Sequence, residues 1–180
     1  MGPKKLSLKL NGEGYPITFK DARKLYNDYC TEFKTGVDFL RGAGRTAAKQ
    51  GWIANLNGRR RYWIMPNPDD LAKYPKGRED PAYLGRMGGI EREGGNMLIQ
   101  SMNAEMTKTA MVMMRDYKKA HGTRTEFCNQ VYDEIVTFTH KDDSAEWVET
   151  KRRFMREAAH TWMKSVKMET DGHVEPYWTK

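Results

Sequence analysis

Two adjacent carboxylates, Asp133 and Glu134, sit between two runs of strand-forming residues. Upstream, Thr125 to Val131 carries Phe127, Cys128 and Val131; downstream, Glu134 to His140 carries Ile135, Val136 and Phe138 with Thr137 and Thr139. β-Branched and aromatic side chains pack well on a pleated surface. The pattern therefore predicts an antiparallel hairpin that lifts the acidic pair at its tight turn. A carboxylate on a rigid hairpin is a good ligand for Mg²⁺, which takes oxygen ligands and keeps several waters. The same pair equally describes an ordinary solvated turn, and the hairpin by itself leaves both readings open.

The rest of the chain alternates helical periods with a second hairpin. Thr18 followed by Asp21 resembles a capping box with the shorter acid. Leu25, Tyr29, Phe33, Val37 and Leu40 then recur every three or four residues. That spacing predicts one helix with a single apolar face, weakened by Gly42 and Gly44 and resuming through Ala47 and Ala48 to about Gln50. Trp52 to Leu56, Asn57-Gly58 and Arg59 to Ile64 read as a hairpin on a type I′ turn. Residues 65–89, rich in proline and glycine, read as a long loop.

Helix returns from about Glu91 to Ala120, with Leu98, Met102, Met106, Met113 and Tyr117 on one face. Its methionines are best read as adaptable core filler. Asp143 and Glu146 open a last helix, whose buried stripe is Trp147, Val148, Phe154, Met155, Ala158, Ala159 and Trp162. The tail from Val166 to Lys180 is a candidate strand. Helices and antiparallel hairpins in this order, with no alternating βαβ units, give an α+β fold class. The glycine pairs at 12 and 14, 42 and 44, and 88 and 89 match no phosphate-binding fingerprint and read as turns.

With 180 residues the chain can bury a core of its own, and its formal charge of +7 suits a polyanionic partner without requiring one. No segment approaches the roughly 18 apolar residues that span a bilayer. The lysine-bearing start lacks the apolar region of a secretion signal, and Cys30 and Cys128 read as reduced thiols. A cytoplasmic location follows as the expectation. The four histidines, at 121, 140, 160 and 173, have no partner at zinc-ligand spacing.

One more pattern carries chemistry. Arg92, Asn96 and Gln100 are spaced by four, so on a helix they share one polar stripe. Such a stripe offers donors to the acceptors of a minor groove; alone, it is better read as a solvated helix face.

Taken together, these residues resemble a known family. Gln130-Val131-Tyr132-Asp133-Glu134 looks like the Gln-Val-His-Asp-Glu motif of family A DNA polymerases, the bacterial DNA polymerase I family and its phage relatives. Gly58-Arg59-Arg60-Arg61-Tyr62 is similar to that family's Gly-Arg-Arg-x-Tyr hairpin. The Arg92, Asn96, Gln100 stripe falls where the family has a helix gripping the primer-template minor groove, and Trp178 where it often has a near-terminal tryptophan. Met1-Gly2-Pro3-Lys4-Lys5-Leu6-Ser7 resembles the stretch that immediately follows, or overlaps, the nucleotide-binding fingers helix in phage members. The Tyr at 132, where the family usually has His, keeps a ring and a hydrogen-bonding end.

The resemblance implies the C-terminal portion of a polymerase. Residues 1–50 would be the helical end of the fingers, 51–90 a hairpin and long loop, and 91–180 the second half of the palm with the minor-groove helix and catalytic hairpin. It implies template-directed nucleotidyl transfer with Mg²⁺, held by Asp133, with Glu134 as a second acid near the primer end. Arg92, Asn96, Gln100 and Tyr132 would meet DNA, with Lys4, Lys5, Arg59, Arg60 and Arg61 on phosphates. The fingers signature, the other metal-binding aspartate and the thumb have no match. The expectation is therefore a split polymerase whose N-terminal subunit supplies them, with primer-template DNA and a dNTP as the remaining partners. If phage-encoded, the chain would work in the infected host's cytoplasm. The competing expectations are a non-catalytic DNA-binding remnant of a disrupted gene and a piece of a single-subunit RNA polymerase.

Overall fold

The structure is a computed structural model and describes residues 2–178; Met1, at the head of the N-terminal motif, and Thr179 and Lys180, at the end of the predicted tail strand, lie outside them. Among the described residues, five α-helices, two short 3₁₀ helices and two two-stranded antiparallel sheets make an α+β fold. It divides into two compact units, Met1–Leu98 and Ile99–Lys180, with the boundary inside the longest helix.

The first unit holds α1 (Pro3–Gly12), α2 (Phe19–Glu32), α3 (Lys34–Gln50), β1 (Trp52–Ala54), β2 (Arg60–Tyr62) and the first turns of α4 (Pro81–His121). The helix α1, in a stretch whose glycines and lysines gave no helical signal, begins with Pro3 at a position where a missing N–H costs nothing. Thr18 caps α2 as the sequence predicts, its hydroxyl accepting from the Asp21 amide at 3.1 Å. The shorter Asp21 side chain answers by accepting from the same hydroxyl rather than by reaching the Thr18 amide.

The helix expected to run on to Gln50 breaks at Phe33, whose φ of −98° and ψ of 34° end α2 and start α3. Its apolar face is also not buried. Tyr29 and Phe33 remain more than half exposed, as does Leu25. The core of this unit lies elsewhere, among Ala43, Ala47 and Ala48 of α3, Ile53, Trp63, and Ile90 and Met97 of α4. Gly12, Gly42, Gly44, Gly88 and Gly89 are helical rather than turn residues, and of the six only Gly14 lies in a turn. A Cβ on Gly44 would collide with the Glu91 carbonyl, and one on Gly95 would lie 2.8 Å from the Leu40 carbonyl. Small residues on both helices let α3 and α4 touch through their backbones.

The first hairpin departs from the type I′ expectation by one residue. Trp52 pairs with Tyr62 and Ala54 with Arg60. The Gly58 amide donates to the Asn55 carbonyl, and only Gly58 takes a positive φ, at 78°. That is a three-residue loop with a left-handed glycine. Burial explains the choice: this register puts Ile53 and Trp63 on one face, toward the core, whereas a two-residue Asn-Gly turn would separate them. The loop predicted over 65–89 ends early, because α4 starts at Pro81 with Asp80 accepting from the Ala82 amide.

The second unit packs the rest of α4 with β3 (Thr125–Val131), β4 (Glu134–Thr139) and α5 (Ser144–His160). Ala110, Met114, Ile135, Trp147 and Ala158 form its core, with Met111, Met113, Tyr117, Phe154 and Met155 against it. The methionines thus fill space as expected. A bulge falls between Phe127 and Asn129. Asp143 precedes α5 but does not cap it, because its carboxylate is taken by Arg124, at 2.7 and 3.0 Å; that guanidinium holds the Asp143 carboxyl below its ordinary pKa. No strand forms in the described part of the tail. The Thr170 carbonyl accepts from Arg152 and its hydroxyl donates to the Arg152 carbonyl, laying the tail along α5.

Candidate active site and nucleic-acid interface

Val131 pairs with Glu134, so Tyr132 and Asp133 are the two turn residues and Glu134 opens β4. Tyr132 is the one described non-glycine residue with positive φ, at 56°. Positive φ at the first turn position alone is the pattern of a type II′ turn, which matches the twist of the strands and normally takes glycine there. The Gln130 side-chain amide braces the turn by donating to the Tyr132 carbonyl at 3.1 Å.

The two acids differ in their surroundings. Asp133 is exposed, and among the described residues none donates a hydrogen bond to its carboxylate or pairs with it. Glu134 accepts from the Trp178 indole N–H at 2.9 Å. Both border a cleft of about 710 Å³, shared with Asn103 and Thr107 of α4, Lys151 of α5 and Trp178. Lys151 is half-buried beneath the hairpin, and burial pushes its pKa down against the opposing pull of Glu134. Among the described residues no group of three potential metal ligands occurs. The donor set at the turn therefore fits a divalent cation in kind, with two hard oxygen ligands, but not in number.

The basic candidates belong mostly to the first unit. Lys4 and Lys5 are exposed on α1. Arg60 lies 4.8 Å over the Trp52 ring, and Trp52 in turn neighbours Tyr62, so one face of the first hairpin is aromatic and cationic. Arg59 is exposed at the end of the loop, its amide donating to Asn55 Oδ1. Arg61 faces the other way. Its guanidinium pairs with Glu93 at 2.6 Å, and the Trp63 indole donates to the same carboxylate oxygen, fastening the hairpin to α4. Arg61 thus has a structural partner that the sequence did not reveal.

Arg92, Asn96 and Gln100 are all exposed on α4, the first two in the first unit and Gln100 in the second. Asn103 and Thr107 continue the same helical spacing into the cleft beside Asp133. Their positions, three and seven residues past Gln100, were a readable signal. Lys151 had none, because a lone lysine in a helix usually faces water.

A family model described as DNA polymerase family A matches residues 1–180. The chain belongs to DNA polymerase family A. It is also similar to a solved structure, the POL domain of Pol1 from M. smegmatis in complex with DNA primer-template and dNTP. The two share 25% identity with a TM-score of 0.66, over 87% of this chain and 24% of that one. This family A chain thus spans about a quarter of the solved chain it matches. No helix among its described residues is long and apolar enough to cross a membrane.

Tyr132 sets a testable point on this family A hairpin. The residue is 84% exposed, so little packing offsets the cost of its left-handed backbone. Tyr132→Gly is expected to stabilise the chain by roughly 0.5–1 kcal/mol, after the added chain entropy of glycine. Urea unfolding measures it; a loss of stability would show that the ring has a packing role.

Proposed function

We propose that this chain supplies one half of a DNA-directed DNA polymerase active site. The observation that carries the reading is the Asp133 carboxylate, exposed on a braced turn, unpaired among the described residues and open to a cleft. Asp133 would hold Mg²⁺, and Glu134 would serve as an outer acid near the primer end. When bound, Mg²⁺ would supply charge neutralisation for the attacking 3′-hydroxyl and the departing pyrophosphate.

The chain's own residues do the positioning on which phosphoryl transfer mainly depends. In the reaction the primer 3′-oxygen bonds to the α-phosphorus of a dNTP and the bond to pyrophosphate breaks. Arg92, Asn96 and Gln100 offer donors to the minor-groove acceptors that every correct base pair presents. Tyr132 stands beside the primer terminus. Lys4, Lys5, Arg59 and Arg60 meet phosphates, which fix register without reading sequence.

The remaining acid, the nucleotide-binding helix and the thumb come, in this reading, from a separate N-terminal subunit. Two features support it. Among the described residues no group of three potential metal ligands occurs, and the other acids lining the cleft, Glu169, Asp171 and Glu175, do not complete one with Asp133 and Glu134. The stripe formed by Leu25, Tyr29 and Phe33, with Phe39, is exposed, and apolar surface of this kind marks an interaction site.

The test mixes the 180-residue chain with the polypeptide carrying those missing parts, primer-template, dNTPs and Mg²⁺. Extension is expected only from the mixture. Extension by the 180-residue chain alone contradicts the two-chain arrangement, and none from the mixture contradicts the enzymatic reading. Equal use of ribonucleotides would favour an RNA polymerase instead.

A further inference from the structure

The acidic turn stands on a two-stranded sheet, so among the described residues one edge of β4 has no strand partner. Val131 and Glu134 are the pair closing the two-residue turn and exchange their backbone bonds. The next residue, Ile135, therefore directs its carbonyl away from β3. A carbonyl on such an edge, pressed against a helix, must find a donor. Lys151 provides it, its ammonium lying 2.7 Å from the Ile135 carbonyl oxygen and 3.5 Å from the Thr137 hydroxyl. The same hydroxyl accepts from the Trp147 indole at 2.9 Å. α5 thus grips β4 through a charged donor and an indole, two residues from Asp133. Burying an ammonium carries a cost, and a plain packing contact could have been made by an apolar side chain.

We infer that Lys151 is a positioning residue for the nucleotidyl-transfer site, pinning the outer edge of β4 so that the Tyr132-Asp133 turn is held in one place over the cleft. The inference rests on the polymerase reading for its catalytic consequence, though not for the contact itself. Trp178 adds a second restraint by holding the Glu134 carboxylate, so the two neighbouring acids are treated differently. Glu134 is tied to the tail and feels the Lys151 charge, and Asp133 is left clear for the reaction.

Three measurements test it. In the wild-type 180-residue chain, side-chain ¹⁵N NMR should show a Lys151 ammonium whose protons exchange slowly; rapid exchange overturns the contact without any variant. In Lys151→Met, amide exchange at Val131, Glu134 and Val136 should rise about tenfold, with the α5 amides unchanged. In the assembled polymerase, Lys151→Met should lower kcat by about 10–100-fold with little change in nucleotide KM, as a small misplacement of a reacting group does. Lys151→Arg, which keeps charge and donors, should recover most of that loss. Equal loss in both variants, or no loss in Lys151→Met, assigns the residue to packing and overturns the inference. If the wild-type assembly extends no primer, the polymerase reading fails, and the two NMR measurements still decide the Lys151 contact.

Discussion

Asp133→Asn should abolish primer extension by the proposed two-chain polymerase while leaving the chain folded. The substitution keeps size and polarity but removes the charge that would neutralise a cation. Losing Lewis-acid stabilisation of this kind costs several kcal/mol, and at 1.36 kcal/mol per decade the rate should fall roughly a thousandfold or more. Stability should move by no more than about 0.5 kcal/mol, because an exposed side chain without partners among the described residues has little to lose. Assembly with the proposed second subunit should be unaffected for the same reason. Glu134→Gln is the informative contrast. Its amide oxygen can still accept from the Trp178 indole, which bonds Glu134 Oε1, so the loss should be smaller. Single-turnover extension with both variants measures the difference; an Asp133→Asn enzyme of wild-type rate would falsify the assignment of the metal to this turn.

Much of the local geometry of the candidate site was legible because its signals are local. A run of β-branched residues on either side of Asp133-Glu134 specifies strands, and two residues cannot join them except by a tight turn. The spacing of Arg92, Asn96 and Gln100 needs only a helix to place them on one stripe. Thr18 and Asp21 announced the start of α2 for equally local reasons.

The failures lie where a distant partner decides. The Asn57-Gly58 pair favours a two-residue turn, yet the core demand of Ile53 and Trp63 shifts the register by one. The alternation of Arg60 and Arg61 was visible, but only Glu93, on α4, shows that Arg61 is a fastener while Arg60 faces outward over Trp52. The stripe at Leu25, Tyr29 and Phe33 has the spacing of a buried face, and spacing does not say which polypeptide covers it. Lys151 was silent because its partner is a backbone carbonyl, which every residue has.

Glycine is where local reasoning misled most, and it yields the second large effect. Within a helical pattern Gly42 and Gly44 look alike: each costs about 0.8–1 kcal/mol relative to alanine. In the structure they are opposites. A Cβ on Gly42 would meet nothing within 4 Å, whereas a Cβ on Gly44 would strike the Glu91 backbone carbonyl of α4. A side chain could yield; a carbonyl already in a helix cannot move without shifting α4. Gly94 faces Ala47 across the same contact, so there is no slack on the other side. Gly44→Ala should therefore destabilise by about 2 kcal/mol or more, the overpacking cost exceeding the propensity gain. Gly42→Ala should stabilise by about 0.5–1 kcal/mol, the propensity gain alone. Thermal unfolding followed by circular dichroism should move in opposite directions for the two variants, by a few degrees each. Shifts of the same sign would mean that α3 and α4 do not meet through their backbones.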